Sequence, residues 1–533
     1  MLTAAESRLT GDQLTGGHGS TGGGGSFHAV DPRTGLPLSP QFSAASHEDV
    51  ERAAALAAEA FDTYRHTTPE VRAAFLEGVA DHIESLGPLL TEQVRAESGL
   101  PALRVASETA RTTGQLRLFA RLVREGSWRD VHIDPAQPDR APLPRPDLRS
   151  RRIPLGPVAV FAAGNFPLAF SVAGGDTASA LAAGAPVVVK AHPSHPGTSE
   201  LVGRAVQAAA RENGLPEGVF ALLHGPADDL GHALVTDPRI KAVGFTGSRR
   251  GGLALAAAAA ARPEPIPVFA EMSATNPVFL LPHALRQGAA DLARDFIASM
   301  TSATGQMCTS PGIVLAAESA DLETFIQAAS TAVAACAAPP MLSAGIHDAY
   351  EQALSRLAAI DGVTVRARGT DAPEVSTAGR AAVLFTDAAT FLAHPELQEE
   401  VFGPAALIVR VPADRSLQTL ARALDGQLTA TLHAAGADRE QAAALLDILE
   451  LRAGRIIVNG WPTGVEVGHA MIHGGPYPST TAPATTSVGT GAITRFLRPV
   501  SYQNLPADLL PPDLRDDNPL HLWRRIDGNP TRD

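Results

Sequence analysis

The chain is poor in cysteine, with two in 533 residues. Two cysteines in unlike surroundings exclude a disulfide framework, and no His/Cys cluster has the spacing of metal ligands, so no structural metal is expected. Basic residues are outnumbered, 43 against 56 acidic, for a net charge of -13. That balance argues against nucleic acid or an anionic membrane surface as partner. Long hydrophobic runs are also missing. The plainest, Leu253 to Ala261, would span about 13 Å as helix, against the roughly 30 Å of a bilayer core. The N-terminus carries no signal-peptide core, so a cytoplasmic location is the default expectation. Hydrophobic residues at 45% and charged residues at 19% are ordinary for a globular protein with two or three domains.

Against this background one cysteine stands out. Cys308 lies in Gly305-Gln-Met-Cys-Thr-Ser-Pro-Gly312, a small-residue loop downstream of Phe269-Ala-Glu-Met-Ser273. A thiol with a separate carboxylate, Glu271, suits two-stage acyl chemistry, in which sulfur forms a thioester and base-activated water breaks it. Cys336, within Thr331-Ala-Val-Ala-Ala-Cys336, has the surroundings of a small buried hydrophobe.

The first 26 residues are rich in Gly, Ser and Thr and are expected to be flexible. Their Gly17-His-Gly-Ser-Thr-Gly22 matches GxGxxG, but no strand precedes it and no helix follows, so it is rejected as a pyrophosphate cradle. From His47 to about Glu125 the periodicity is helical. Prolines at 135, 138, 142, 144 and 146 then predict an extended arm over 133–147. Four β-then-α units follow, with strands at Val158–Phe161, Val187–Lys190, Val219–Leu223 and Ala242–Phe245. Each precedes an Ala-rich helix, which argues for a doubly wound parallel sheet. A second α/β series runs from Val278 to about Asn459, and Thr485 to Tyr502 is again β-like.

Open parallel sheets bind ligands at the carboxyl ends of their strands. Lys190 closes one strand, where its ammonium can reach a ribose or phosphate. Thr246-Gly247-Ser248 ends another and opens a helix, offering free N–H groups to a pyrophosphate, although Ser248 also suits a plain N-cap. Asn165 follows the Val158 strand, and its amide can donate to a developing oxyanion.

Together, Asn165-Phe-Pro-Leu, Gly244-Phe-Thr-Gly-Ser248, Glu271, the Cys308 loop and Glu399-Glu-Val-Phe-Gly-Pro404 resemble the ordered landmarks of the aldehyde dehydrogenase superfamily. Phe161 to Ala173, Val187 to Leu201, Met272 to Pro277, Gly460 to Pro478 and Thr486 to Pro499 resemble its 2-oxoglutarate semialdehyde (2,5-dioxopentanoate) dehydrogenase branch. The resemblance implies an α/β fold with a Rossmann-like cofactor domain (27–132 and 148–275), an α/β catalytic domain (276–470), a small β oligomerisation arm (133–147 and 485–502) and a tail (503–533). It implies Cys308 as nucleophile, Glu271 as deacylation base, and Asn165 with the Cys308 N–H as oxyanion holders. Lys190, His192, Gly225, Gly247 and Ser248 would serve the adenosine and pyrophosphate, Glu400 the nicotinamide ribose, and Phe402 would pack beside the nicotinamide. Glu271 suits its task if partial burial raises its pKa towards neutrality.

The implied activity is NAD(P)-dependent oxidation of 2-oxoglutarate semialdehyde to 2-oxoglutarate. The alternatives are another small semialdehyde, a fatty aldehyde, or a non-catalytic protein of the same fold. Many NAD-preferring relatives place a glutamate where this chain has Pro193, and His192 and His195 could add positive charge, so the expectation leans to NADP with NAD possible. Asp228 and Asp229 count against it. A carboxylated substrate calls for arginine; Arg249, Arg250, Arg455 and Arg495 are candidates that the sequence does not rank. A homodimer or homotetramer is implied. A Cys-His hydrolase would need a histidine aimed at the thiol, and none of the 17 histidines lies in a recognisable motif.

Overall fold

The computed structural model describes residues 8–532. Its first sheet is built from short runs such as Val158–Phe161 and Val187–Lys190. Runs of this kind, buried on both faces, favour parallel pairing under covering helices. The strand order is Val268–Glu271, Ala242–Thr246, Val158–Phe161, Val187–Lys190, Phe220–Leu223, all parallel. The helices Gly175–Ala183, Pro196–Glu212, Asp228–Thr236 and Arg249–Ala260 connect them. The chain starts at the Val158 strand, steps outward twice, then returns to its other side at Ala242. The crevice between these two strands is therefore a topological switch point, where ligands of such sheets bind. Register lines up the functional ends: Phe161 is opposite Lys190 and Phe245, and Thr246 is opposite Glu271.

Seven strands form the second sheet, parallel except for Thr364–Arg368 at one edge. Three loops lead into neighbouring strands at its amino end. Thr275–Pro277 precedes Val278–Leu280, Gly305–Gly312 precedes Ile313–Ala317, and Glu399–Pro404 precedes Ala405–Val411. This end abuts the carboxyl end of the first sheet, because Glu271 and Val278 are separated by only six residues. Helices His47–Tyr64, Pro69–Ser98 and Ala102–Glu125 cover the first sheet. Among the described residues no helix is long and apolar enough to cross a membrane.

Three expectations need correction. Residues 1–7 lie outside the described residues, but much of the remaining N-terminal segment is built in rather than flexible. Gln13–Thr15 and His18–Ser20 form an antiparallel hairpin on the first sheet, with Leu14 opposite Leu222. Leu14 is fully buried, and the Gln13 amide bridges Ser43 O (2.7 Å) and His224 N (2.6 Å). Burial of Leu14 and two satisfied backbone groups outweigh the entropy of a glycine-rich segment. The GxGxxG match thus lies on a hairpin, with no helix following it.

The arm is displaced from its expected bounds. Its long strands are Leu148–Pro154 and Leu497–Gln503, paired antiparallel, with His132–Asp134 alongside. Prolines between 135 and 146 have no N–H to donate, so the ladder resumes only beyond them. Residues 490–496 form a 3₁₀ segment that buries Ala492, Ile493 and Phe496 in the main core, leaving only Leu497 onward as strand.

Nor is the tail separate. Arg524–Ile526 pairs with His132–Asp134, and Leu514 and Leu522 fill a small core with Val131 and Ile133. Buried Asp513 receives Arg129 at 3.0 Å and Arg151 at 2.7 Å. We expect Leu514→Ala to lower stability by about 2–5 kcal/mol, the usual cost of an emptied leucine site, measured as a shift in urea midpoint. An unchanged midpoint would mean that the tail does not contribute to the fold.

Candidate active site

The loop carrying Cys308 begins with three consecutive left-handed residues, Ala303 (φ 49), Thr304 (φ 56) and Gly305 (φ 66). Two of these are not glycine, and such strain persists only where the surroundings impose it. At Gly305 a side chain is excluded on a second ground, since a Cβ would lie 2.2 Å from the Gly403 carbonyl carbon. Beyond the turn the loop is clamped. Asn276, itself at φ 48, donates from Nδ2 to the carbonyls of Cys308 and Ser310, both at 2.9 Å. Its Oδ1 accepts from the Thr429 hydroxyl at 3.0 Å. From the first sheet, Asn165 Nδ2 reaches Gln306 O at 3.0 Å, two residues before the cysteine.

Sulfur and carboxylate do converge, through a group that sequence reasoning missed. His473 Nε2 lies 3.4 Å from Cys308 Sγ and 2.8 Å from Glu271 Oε1. Ligand-type atoms of Glu271, Cys308 and His473 all fall within 4.8 Å of one another. Ser487 donates from Oγ to the other Glu271 oxygen at 2.6 Å and to His473 O at 3.1 Å. One imidazole nitrogen therefore faces both reactive groups, while Nδ1 is buried without a partner. His473 stands 165 residues from Cys308. Its only sequence signal is its place in the Gly460–Pro478 motif, where Gly474 and Gly475 follow it.

The expected rise in the Glu271 pKa is overturned. Burial does push it up, but the His473 and Ser487 hydrogen bonds and the charges of His473 and Arg495 outweigh that, leaving the carboxyl below its ordinary range. The Cys308 thiol moves the opposite way, well above its ordinary value. Burial and the Glu271 charge raise it, and Arg111 opposes them. The resting pair is thus a carboxylate beside a neutral thiol.

The cofactor candidates line the other end of the crevice. The Lys190 ammonium is lowered to about 8 by burial, opposed by the charge of Asp228. Ser248 caps the helix Arg249–Ala260 by accepting from Gly251 N at 3.2 Å, so of the first-turn N–H groups those of Arg249 and Arg250 stay outside the cap. A Cβ at Gly225 or Gly247 would meet Leu230 or the Phe245 ring at 2.7 Å, and of the two only Gly247 is exposed. An ammonium and a helix N-terminus at a switch point fit a dinucleotide.

The expected histidine charge is absent. His192 and His195 are stacked, 5.3 Å between ring centres, and burial holds both below the ordinary histidine range, His195 at about 4. Glu400, pushed up to about 8 by burial despite hydrogen bonds from Ser273 and the Ala274 backbone, is drawn back towards the Glu271 loop. Phe402 is half-buried nearby.

Cys308 opens into a cleft of about 650 Å³ whose walls include Arg104, Glu108, Arg111, Phe166 and Phe170. None of the four expected arginines is among them. Arg455 is spent on Pro462 O and Gly464 O, Arg495 on Asp176, and Arg249 lies over Tyr477, while Arg250 is exposed.

Comparison with known proteins agrees with this geometry. The aldehyde dehydrogenase family model matches residues 20–497. The chain is 54% identical over 525 residues to alpha-ketoglutaric semialdehyde dehydrogenase 2 of Azospirillum brasilense, covering 98% of this chain and 99% of the relative. It is 44% identical over 523 residues to alpha-ketoglutaric semialdehyde dehydrogenase of Acinetobacter baylyi, with the same coverage. Among solved structures, it is similar to a mutant of aldehyde dehydrogenase C from Pseudomonas syringae in complex with NAD+ and octanal. The TM-score is 0.79 at 21% identity, over 96% of this chain and 99% of that one. A betaine aldehyde dehydrogenase mutant from Staphylococcus aureus gives a TM-score of 0.80 at 20% identity, over 94% and 96%. Sheet order, crevice, thiol loop and sequence therefore point the same way, and the chain belongs to the aldehyde dehydrogenase family.

Proposed function

We propose that the protein oxidises 2-oxoglutarate semialdehyde to 2-oxoglutarate with NAD(P), through a thioester on Cys308. The observation that carries this reading is the meeting of Cys308 Sγ, His473 Nε2 and the Glu271 carboxylate, with Cys308 also lining an open cleft. Identity of 54% and 44% to two alpha-ketoglutaric semialdehyde dehydrogenases supports the substrate.

In the first stage the thiol gives its proton to water, the His473 Nε2–H that lies between Glu271 and the sulfur steadies the thiolate, and sulfur attacks the aldehyde carbon. The carbonyl electron pair moves to oxygen, where the Cys308 N–H and the Asn165 amide stabilise it. Bound NAD(P) would supply the hydride acceptor that makes a thioester of this adduct. In the second stage the Glu271 carboxylate, held by the His473 Nε2–H, takes a proton from water, whose oxygen attacks the thioester carbon. The carbon–sulfur bond breaks, and the electron pair returns to sulfur. A Cys-His-acid hydrolase is disfavoured because such a triad uses both ring nitrogens, whereas here Nε2 meets both partners and Nδ1 meets none.

We further propose that NADP is accepted and preferred. The support is Pro193, which removes a carboxylate that would repel a 2′-phosphate, together with Lys190; the neutral histidines add nothing. A homodimer or homotetramer is supported by two unpaired sheet edges, Leu497–Gln503 and Ala453–Val458, the latter with Val458 exposed. A cytoplasmic location fits two cysteines that are both free.

Four measurements test these readings. Cys308→Ala should give no NAD(P)H with any aldehyde. Glu271→Gln should keep a burst of about one NAD(P)H per site while steady turnover falls by about 100-fold or more; loss of the burst as well would mean that the role assigned to Glu271 is wrong. Initial rates should give a higher kcat/KM for NADP than for NAD, and the reverse ratio would discard the preference. Light scattering of the full chain should return at least twice the monomer mass, and an active monomer would overturn the oligomer reading.

A further inference from the structure

The walls of the cleft carry two arginines for which neither the fold nor the thiol chemistry accounts. Arg104 and Arg111 lie seven residues apart, two turns along one face of the helix Ala102–Glu125. Both line the cleft with Cys308. Each guanidinium is laid against an aromatic ring, Arg104 over Phe166 at 4.5 Å and Arg111 over Phe170 at 5.3 Å. The two rings pack edge to face with centres 5.1 Å apart, so both planes are fixed.

Each arginine is also only partly used. Arg104 Nη1 pairs with Glu108 at 2.9 Å, and Arg111 Nη1 donates to Val465 O, yet Nη2 of both is buried without a partner. A buried donor left unmade is costly, and two held side by side on rigid rings form a site for an anion. The remaining charges do not fill it. Glu108 also accepts from Leu168 N and Ala169 N at 2.9 and 3.0 Å, while Glu466 and Arg121 are exposed.

We propose that Arg111, together with Arg104, binds the carboxylate end of the substrate and so selects aldehydes that carry an anion a few carbons from the reacting group. The inference rests on the aldehyde-oxidising reading and deepens it. A neutral aldehyde leaves both Nη2 groups unpaired, and a site built to pair them discriminates against it for that reason. The Phe166 and Phe170 faces cover the intervening methylenes.

The test compares 2-oxoglutarate semialdehyde with pentanal, an uncharged aldehyde of the same chain length. Arg111→Met should lower kcat/KM for the semialdehyde about 100-fold, mainly through KM, and change it less than about threefold for pentanal. Arg104→Met, which touches no backbone of the Thr463–Val467 segment, should act in the same direction, and Arg111→Lys should recover part of the loss. Glutarate should inhibit pentanal oxidation competitively in the unmodified enzyme and at least about tenfold more weakly in Arg111→Met.

An equal fall for both aldehydes, or undiminished glutarate inhibition, would reduce Arg111 to a support for Val465 and overturn the proposal. If the unmodified enzyme prefers pentanal, the substrate reading fails. Glutarate inhibition that depends on Arg111 would then still support the anion site.

Discussion

The short run from Glu271 to Asn276 governs this molecule. Its first residue ends the last strand of the first sheet, beside Thr246. Its last residue holds the carbonyls of Cys308 and Ser310. In between, the N–H groups of Thr275 and Asn276 share Gln427 Oε1 at 2.8 and 3.0 Å, fastening the run to the second sheet. A carboxylate and a thiol from different sheets are thereby set a few ångströms apart by a span too short to allow another arrangement. Asn276 accepts a left-handed backbone because its side chain is fully engaged.

Electrostatics within that frame are uneven by design. Glu271 is buried yet well supplied with donors, and its charge is stable there; the same charge disfavours a thiolate on Cys308. The donor that faces the sulfur directly is the His473 Nε2–H, which lies between the two groups. The thiol form of Cys308 is favoured in this arrangement, and the nucleophile is the thiolate.

What could be read from the chain follows from the range of the forces involved. The four β-α units and the Cys308, Glu271 and Asn165 positions were legible because local patterning and short motifs carry them. Glu271 and Cys308 were recognisable as chemistry, but their coupling was not, since His473 arrives from a glycine-flanked loop with no periodicity. Arg104 and Arg111 were hidden for the opposite reason. They sit in a regular amphipathic helix, where arginines are ordinarily solvated, and only packing on Phe166 and Phe170 distinguishes them. The hairpin at Gln13–Ser20 was misread because composition suggested freedom, while a single buried leucine decided the matter. The charge expected of His192 and His195 failed similarly: stacking and burial are tertiary facts.

The absence of a side chain at Gly305 has a mechanical meaning. With the backbone of Gly403 where a Cβ would lie, the turn leading to Cys308 and the segment holding Glu400 and Phe402 form one bearing with no clearance. The position of the Cys308 turn is therefore set against the same segment that carries Glu400 and Phe402. Enlarging Gly305 would drive a Cβ into the Gly403 backbone, whereas enlarging Gly403 would drive one into the Tyr350 ring.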